Sequence, residues 1–310
     1  MSTSADVGST LPRALIAFFR GARSLLARPG SAIGLWLTLL FLLLAVLGPA
    51  LAPHGPTATT SEARVAPSVA HLFGTDHLGR DVLSRVLYGT RSVISLAGLG
   101  TLTAVAAGLL VGMASGYRGR LFDEVLMRVF DSLLAIPALL LALLLVGTIG
   151  PSRQAVLIIL PVLYTPIVAR VVRSEMLRIR ERGFVAAARL RGESTLYLLF
   201  REIFPSLLPA LSVEAALRFS YAIFLVASLG FLGVGLQPPT PDWGLMVNEA
   251  RSFVRLTPWA MVFPAAAISL LVVGVNLLAD GLRCVLRRTD DASGAYRPTV
   301  DGRRRPPAAN

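Results

Sequence analysis

The sequence predicts an all-α, polytopic membrane protein with six transmembrane helices. Three observations carry that prediction. The composition is 54% hydrophobic with only 15% charged residues and a mean hydropathy of +0.67, outside the range of soluble globular chains. Six runs lie near the roughly 20 apolar residues that a helix needs to cross hydrocarbon. The arginines cluster beside those runs on alternate connections, the signature of inserted helices.

Residues 1–31 form a basic N-terminal tail. Within it, residues 11–28 mix Leu, Ile and Phe with arginines, which suits either an amphipathic helix on the membrane surface or a plain positive flank. The first span covers 33–51. Its apolar run exceeds the roughly 7–15 residues of a signal-peptide core, so it is expected to be retained. An outer segment, 53–91, follows. In it Thr75-Asp76-His77 and Gly79-Arg80-Asp81 predict a turn and a helix start, with Asp76 or Thr75 as cap. The next runs are 92–113; 132–150, with its helix starting near Phe122 and a kink at Pro137; and 154–169, with Pro161 and Pro166 inside. The last two are 207–236 and 259–278, joined by an outer loop over 237–258. The membrane domain is thus 32–288, and the polar, Pro- and Arg-rich stretch 289–310 is expected to be a disordered tail.

Six spans place both termini on one side. With that side taken as cytoplasmic, the inner segments hold 22 arginines and the outer ones seven, with Arg218 left inside a span. The excess favours both termini inside. The formal net charge of +12 therefore reads as topology, and no nucleic-acid partner is expected. All 30 basic residues are arginine, so a phosphate-binding G-x-x-x-x-G-K-[ST] loop is excluded. The single Cys284 excludes a disulfide framework and a cysteine metal site.

One polar segment stands out between the fourth and fifth spans, residues 170–205. Val171, Val172, Met176, Leu177, Ile179 and Phe184 approach helical apolar spacing, and Ala186 to Ala188 are strong helix formers. Gly192 supplies a helix end, because glycine tolerates the left-handed conformation that stops helices. Ser194 or Thr195 can cap a second helix over 196–203, and Pro205 suits the start of the next span. The segment reads as a helix, a sharp break and a second helix entering the membrane: a lever for a partner's movement, or else a solvated hairpin that only connects two spans.

The stretch "FVAAARLRGESTLYLLFREIFPS", residues 184–206, resembles the EAA loop of ATP-binding-cassette (ABC) importer permeases. "FGTDHLGRDVLSRVLYGTR", residues 73–91, and "ASLGFLGVGLQPPTPDWG", residues 227–244, resemble segments of the C-type permease subunit (DppC/OppC-like) of dipeptide, oligopeptide and nickel importers. The resemblance covers roughly residues 35–286 and implies the type I ABC importer permease fold. It implies that Phe184, Ala187, Ala188, Arg189, Arg191, Gly192 and Pro205 serve ATPase coupling. Arg191 stands where the family usually has leucine, Ser206 where asparagine is common, and Val226 where an acid is frequent. It further implies a B-type permease as heterodimer partner, two cytoplasmic ABC ATPase subunits, an extracytoplasmic solute-binding protein, and the inner membrane of a bacterium. Peptides are the implied cargo, with nickel or glutathione as alternatives within the family. No cofactor is expected on this chain; ATP and magnesium belong to the ATPase partners, and the chain is expected not to be an enzyme.

Other marked residues carry two readings each. Glu214 and Arg218 are four apart in the fifth span and share a face; they line the translocation path near its inner end, or form a structural ion pair. Gly230, Gly233 and Gly235 permit close helix contact or act as a gate hinge. The outer segment and residues 237–244 either receive the solute-binding protein or pack over the bundle. His54, His71 and His77 with Asp76 raise the question of a metal; His71 and His77 lack i,i+4 geometry, and no metal site is expected. A secondary transporter or channel, the rival class, would show inverted repeats and intramembrane acids; the sequence has no obvious repeat and only Glu214 in that role.

Overall fold

The computed structural model describes residues 28–60 and 62–293 together with Leu26. Its helices are α1 (Pro29–Leu51), α2 (Val82–Arg118), α3 (Arg120–Leu134), α4 (Ala138–Ile149), α5 (Arg153–Ile179) and α6 (Gly183–Leu190). After them come α7 (Thr195–Phe231), α8 (Trp243–Arg251) and α9 (Pro258–Ser293). Among the described residues the only extended pairings are isolated bridges, Thr59 with Arg80 and Thr75 with Asp81. The N-terminal helix expected over 11–28 and the tail beyond Ser293 fall outside the described residues. Helix α9 runs past the expected boundary at 288.

Five helices, α1, α2, α5, α7 and α9, are long and apolar enough to cross a membrane. The remaining expected span is broken: α3 and α4 meet at 89°. The kink anticipated at Pro137 is a full corner. Proline pushes the preceding residue away from the helical region, and Pro137 itself, at φ −54° and ψ 130°, stands at the N-terminus of α4. The 12 residues of α4 reach only about 18 Å at 1.5 Å per residue. Counted as one bent span, the pair completes six.

Helices α2 and α5 pack closely because small residues on α2 admit the side chains of α5. A Cβ added to Gly112 or Gly116 would stand 2.7 Å from the Val172 Cβ or the Met176 Cγ, too close for any real side chain. This contact corrects the expected fourth span. The run 154–169 is part of a 27-residue helix, because Val172, Met176 and Ile179 continue its buried face. Pro161 and Pro166 lie inside that helix, Pro166 buried and Pro161 half-buried against the rest of the bundle. A main core runs through α1, α2, α5, α7, α8 and α9, including Leu96, Ile159, Ile223, Leu229, Trp243 and Leu271. Outward, α1 exposes Trp36, Leu43 and Val46, as a lipid-facing helix does.

Candidate functional site

At the end where α2 finishes and α5 continues beyond the bundle, the 170–205 segment folds around a second core. It unites Met113 of α2, Val172, Met176 and Ile179 of α5, Val185 and Ala188 of α6, and Leu198, Ile203, Leu207 and Leu211 of α7. The expected first helix is two helices. Helix α5 stops at Ile179, and Gly183 starts α6 after a turn in which the Arg182 N–H donates to the Ile179 carbonyl, 3.0 Å. The turn is tied back to α2, since Arg180 donates to the Gly116 carbonyl at 3.0 Å. Beside it, Asp123 of α3 accepts from both Ser115 and Arg173, locking α2, α3 and α5 at this end.

Gly192 ends α6 as expected. Its φ of +76° accompanies two bonds, Gly192 N–H to the Arg189 carbonyl at 3.0 Å and Glu193 N–H to the Ala188 carbonyl at 3.3 Å. That is the paired closure of a Schellman motif. Of the two candidate caps Ser194 serves: its Oγ accepts from the Tyr197 N–H. The second helix then enters α7 without a break. Leu198–Ile203 is π-helical, a widened turn that often marks functional positions in helices. Pro205 lies exposed in the first turn that follows.

The structure separates the family-matched residues. Ala188 is fully buried in the second core, whereas Ala187 and Phe184 face outward. Arg189 lies over the Tyr117 ring, 5.8 Å from its centroid. Arg191 faces Glu193 at 3.5 Å and Glu202 at 3.3 Å, so its charge is balanced across the break. Sequence reading missed Leu190. It is 90% exposed, and Phe184 and Leu196 of the same segment also expose their apolar side chains. A leucine following two inward-facing apolar residues, Val185 and Ala188, at helical spacing was the available signal.

Glu214 and Arg218 pair within α7 at 2.8 Å, both largely buried. The Arg218 guanidinium lies 4.9 Å from the Tyr221 ring and 5.7 Å from that of Tyr164 on α5, within cation–π reach. Glu214 also borders a cavity of about 620 Å³, with Glu175, Arg178, Arg182 and Arg283 on its walls. The pair is therefore neutralised within one helix, and its Glu214 member touches a charged cavity at the α6 end of the bundle.

At the opposite end of α2, the 53–81 segment corrects the expected cap. Asp81 caps the helix, accepting from the Ser84 N–H at 2.8 Å. Asp76 accepts from the N–H groups of Leu78 and Arg80, and the Thr75 hydroxyl accepts from Val65 N–H. Asp76, Arg80, Arg85 and Glu249 form a buried charge network between this segment and α8. The expected 237–258 loop contains a buried helix, α8, capped by Asp242, whose Oδ1 accepts from Leu245 N–H at 3.0 Å. Trp243 is fully buried and donates to the Val86 carbonyl at 3.0 Å. Burial pushes the Asp242 carboxyl up to about 6, against the opposing Leu245 and Gly244 N–H groups.

The three glycines stop α7 and admit α8. Gly233, at φ +76°, closes a second Schellman pair, its N–H on Gly230 and that of Val234 on Leu229, both 3.0 Å. A Cβ at Gly230 would collide with Asp242 Oδ1, and one at Gly235 would come within 2.8 Å of the Gly230 nitrogen. Close packing accounts for Gly230 and Gly235, whereas at Gly233, where an added Cβ would meet nothing within 4 Å, the requirement is the positive φ.

Comparison with known proteins matches these features. The family model for the binding-protein-dependent transport system inner membrane component matches residues 108–288. The N-terminal TM domain of oligopeptide transport permease C matches residues 18–67. The dipeptide transport system permease protein DppC of Alkalihalophilus pseudofirmus is 38% identical over 255 residues, 82% of this chain and 84% of the relative. A putative peptide transport system permease of Brucella suis is 41% identical over 266 residues, 86% of this chain and 90% of the relative. DppC of Escherichia coli is 40% identical over 264 residues, covering 83% and 88%. Among solved structures, an inward-facing form of the MetNI methionine ABC transporter aligns with a TM-score of 0.54 at 18% identity. That alignment covers 65% of this chain and 96% of the other, a likeness of fold.

Proposed function

The chain belongs to the binding-protein-dependent transport system inner membrane components, and on that premise we propose that it forms half of the translocation pathway of a peptide importer. Di- and oligopeptides are the cargo, by analogy with the curated relatives, rather than nickel or glutathione. A B-type permease completes the pore. Two ABC ATPases bind ATP and magnesium on the cytoplasmic face, and an external binding protein delivers the peptide. The chain itself does no chemistry; without a lysine it has no residue for the phosphate-binding loop that an ATPase needs. Both termini and the 170–205 segment lie in the cytoplasm, and the 53–91 and 237–258 segments outside.

The single observation that carries the reading is the 183–206 segment. It has a core of its own that joins α6, across the Gly192 break, to the first turns of α7, and it presents Phe184, Leu190 and Leu196 outward. A partner that grips α6 therefore moves α7, and α7 carries Glu214, paired with Arg218, into the wall of the charged cavity. Alternating access follows when ATP binding favours one position of that lever over the other. The Glu214–Arg218 pair speaks against ion coupling, because the carboxylate is already neutralised by its neighbour.

Reconstitution tests the reading. The complete complex in liposomes is expected to take up labelled dipeptide only with internal ATP and the external binding protein. Uptake driven by an ion gradient without an ATPase would contradict it. Competition by unlabelled peptides, glutathione and nickel complexes ranks the cargo.

A further inference from the structure

We propose that His54, His71 and Asp81 bind one first-row divalent transition ion of the zinc type, which staples the 52–81 loop onto the start of α2. The sequence offered the wrong pair. His77, six residues from His71, instead stacks on Phe253 with ring centroids 4.9 Å apart. His54, directly after α1, folds over to His71 at a ring separation of 5.1 Å, and both rings turn their Nδ1 atoms towards one carboxylate. His71 Nδ1 lies 2.9 Å from Asp81 Oδ1, and His54 Nδ1 lies 4.0 Å from Oδ2. One ligand atom from each residue lies within 4.8 Å of the others.

Helix capping alone explains His71 but not His54. Asp81 Oδ2 already accepts the Ser84 N–H and hydroxyl, at 2.8 and 2.7 Å, and Oδ1 is matched with His71. The His54 Nδ1 atom is left buried with no hydrogen-bond partner, 4.0 Å from a carboxylate oxygen and beyond hydrogen-bond reach of it. A cation between them resolves the conflict. Zinc takes imidazole nitrogen and carboxylate oxygen at about 2.0–2.2 Å, so the three side chains need to close by on the order of 1 Å. Two imidazoles and one carboxylate suit zinc-like ions better than calcium or magnesium, which favour oxygen. The fourth position opens to water beside His54, whose side chain is 36% exposed.

The surroundings are built to support ligands. Ser84 holds two of them, taking the His54 N–H on its hydroxyl at 3.1 Å while donating that hydroxyl to Asp81. The His71 carbonyl accepts the N–H groups of Ser68 and Gly74, at 2.9 and 2.8 Å. None of the described residues from 52 to 73 is fully buried, and the loop meets the main core through Phe73, stacked on Phe263 at 3.8 Å between centroids, at its far end from His54. An ion tying residues 54, 71 and 81 would fix both ends and the middle at once.

The test uses the full chain purified with its companion subunits in lipid nanodiscs, through an affinity tag free of histidine. Zn²⁺ is titrated and the bound metal counted by mass spectrometry; Co²⁺ reports geometry by its visible absorption. The expected result is one equivalent of Zn²⁺ per chain that His54→Gln and His71→Gln each remove and His77→Gln retains. Affinity should fall by more than about 100-fold, beyond the usual cost of losing an outer partner of a ligand. Zn²⁺ should also slow tryptic cleavage after the exposed Arg64 in the wild type and not in His54→Gln. If His71→Gln assembles poorly, His54→Gln alone decides. Equal zinc in the wild type and the His54→Gln variant, or loss of the equivalent in His77→Gln, overturns the proposal.

Discussion

Arg80 and Glu249 stand 169 residues apart in the chain and meet at 2.6 Å. The contact joins the segment before α2 to the short helix α8, and Arg85 reaches the same carboxylate at 3.2 Å. Asp76 completes the group on the other face of Arg80, at 2.6 Å. Two arginines and two acids share one site, with Arg80 only 8% exposed.

Removing one member of such a group leaves buried charge without compensation. Glu249→Gln is expected to destabilise the protein by about 3 kcal/mol, measured as a lower Tm in detergent. The Arg80→Gln/Glu249→Gln double variant should lose less than the sum of the single changes. Additive losses would mean that the two residues act separately.

The exposed Leu190 and the buried Ala188 of α6, under the proposed coupling role, predict a different pattern. Leu190→Glu should leave folding and Tm unchanged and weaken ATPase association by about 2 kcal/mol or more, roughly thirtyfold. Ala188→Leu should do the reverse, overfilling the second core and lowering Tm by a loss of about 1–3 kcal/mol. Co-purification of the ATPase and thermal unfolding read the two effects apart.

Gly192 gives a graded prediction. At φ +76° a β-branched side chain is strained, so Gly192→Val is expected to cost about 1–2 kcal/mol and to reduce uptake per ATP hydrolysed. Gly192→Asn should retain most coupling, because asparagine visits the left-handed region readily. Equal uptake-to-hydrolysis ratios for the valine and asparagine variants would show that the break is not held by backbone conformation.

Asp242 predicts a pH dependence. Burial raises its carboxyl from 3.8 to about 6, above its value in the unfolded chain. Its contribution to stability is therefore complete below 3.8 and is lost as pH rises through about 6. Asp242→Asn keeps a capping side chain but does not titrate. The wild-type Tm should rise relative to Asp242→Asn as pH falls from 7 to about 5; parallel Tm profiles would contradict the assignment.

The sequence made the spans legible because hydrocarbon demands long apolar runs, and the Gly192 break because left-handed backbone favours one residue type. It hid what depends on distant partners. Nothing local to Met176 says that α5 must continue beside Gly116, and in a run of three alanines only the spacing from Val185 hints that Ala188 faces inward while Ala187 faces out. Helix α8 was concealed for a similar reason. The sequence around Trp243 reads as a loop until Gly89 and Gly230 leave space for Trp243 and Asp242. The corner at Pro137 was half visible: proline announces a break, but only packing sets its angle.

The central claim is that α6 transmits an ATPase's movement into α7. Leu190→Cys in a Cys284→Ser background, reacted with a short bifunctional cross-linker in native membranes, tests it most directly. The account predicts an adduct with an ATP-hydrolysing subunit whose yield changes when nucleotide is added. No such adduct, or labelling of the introduced thiol by a membrane-impermeant reagent applied from outside intact cells, would contradict it.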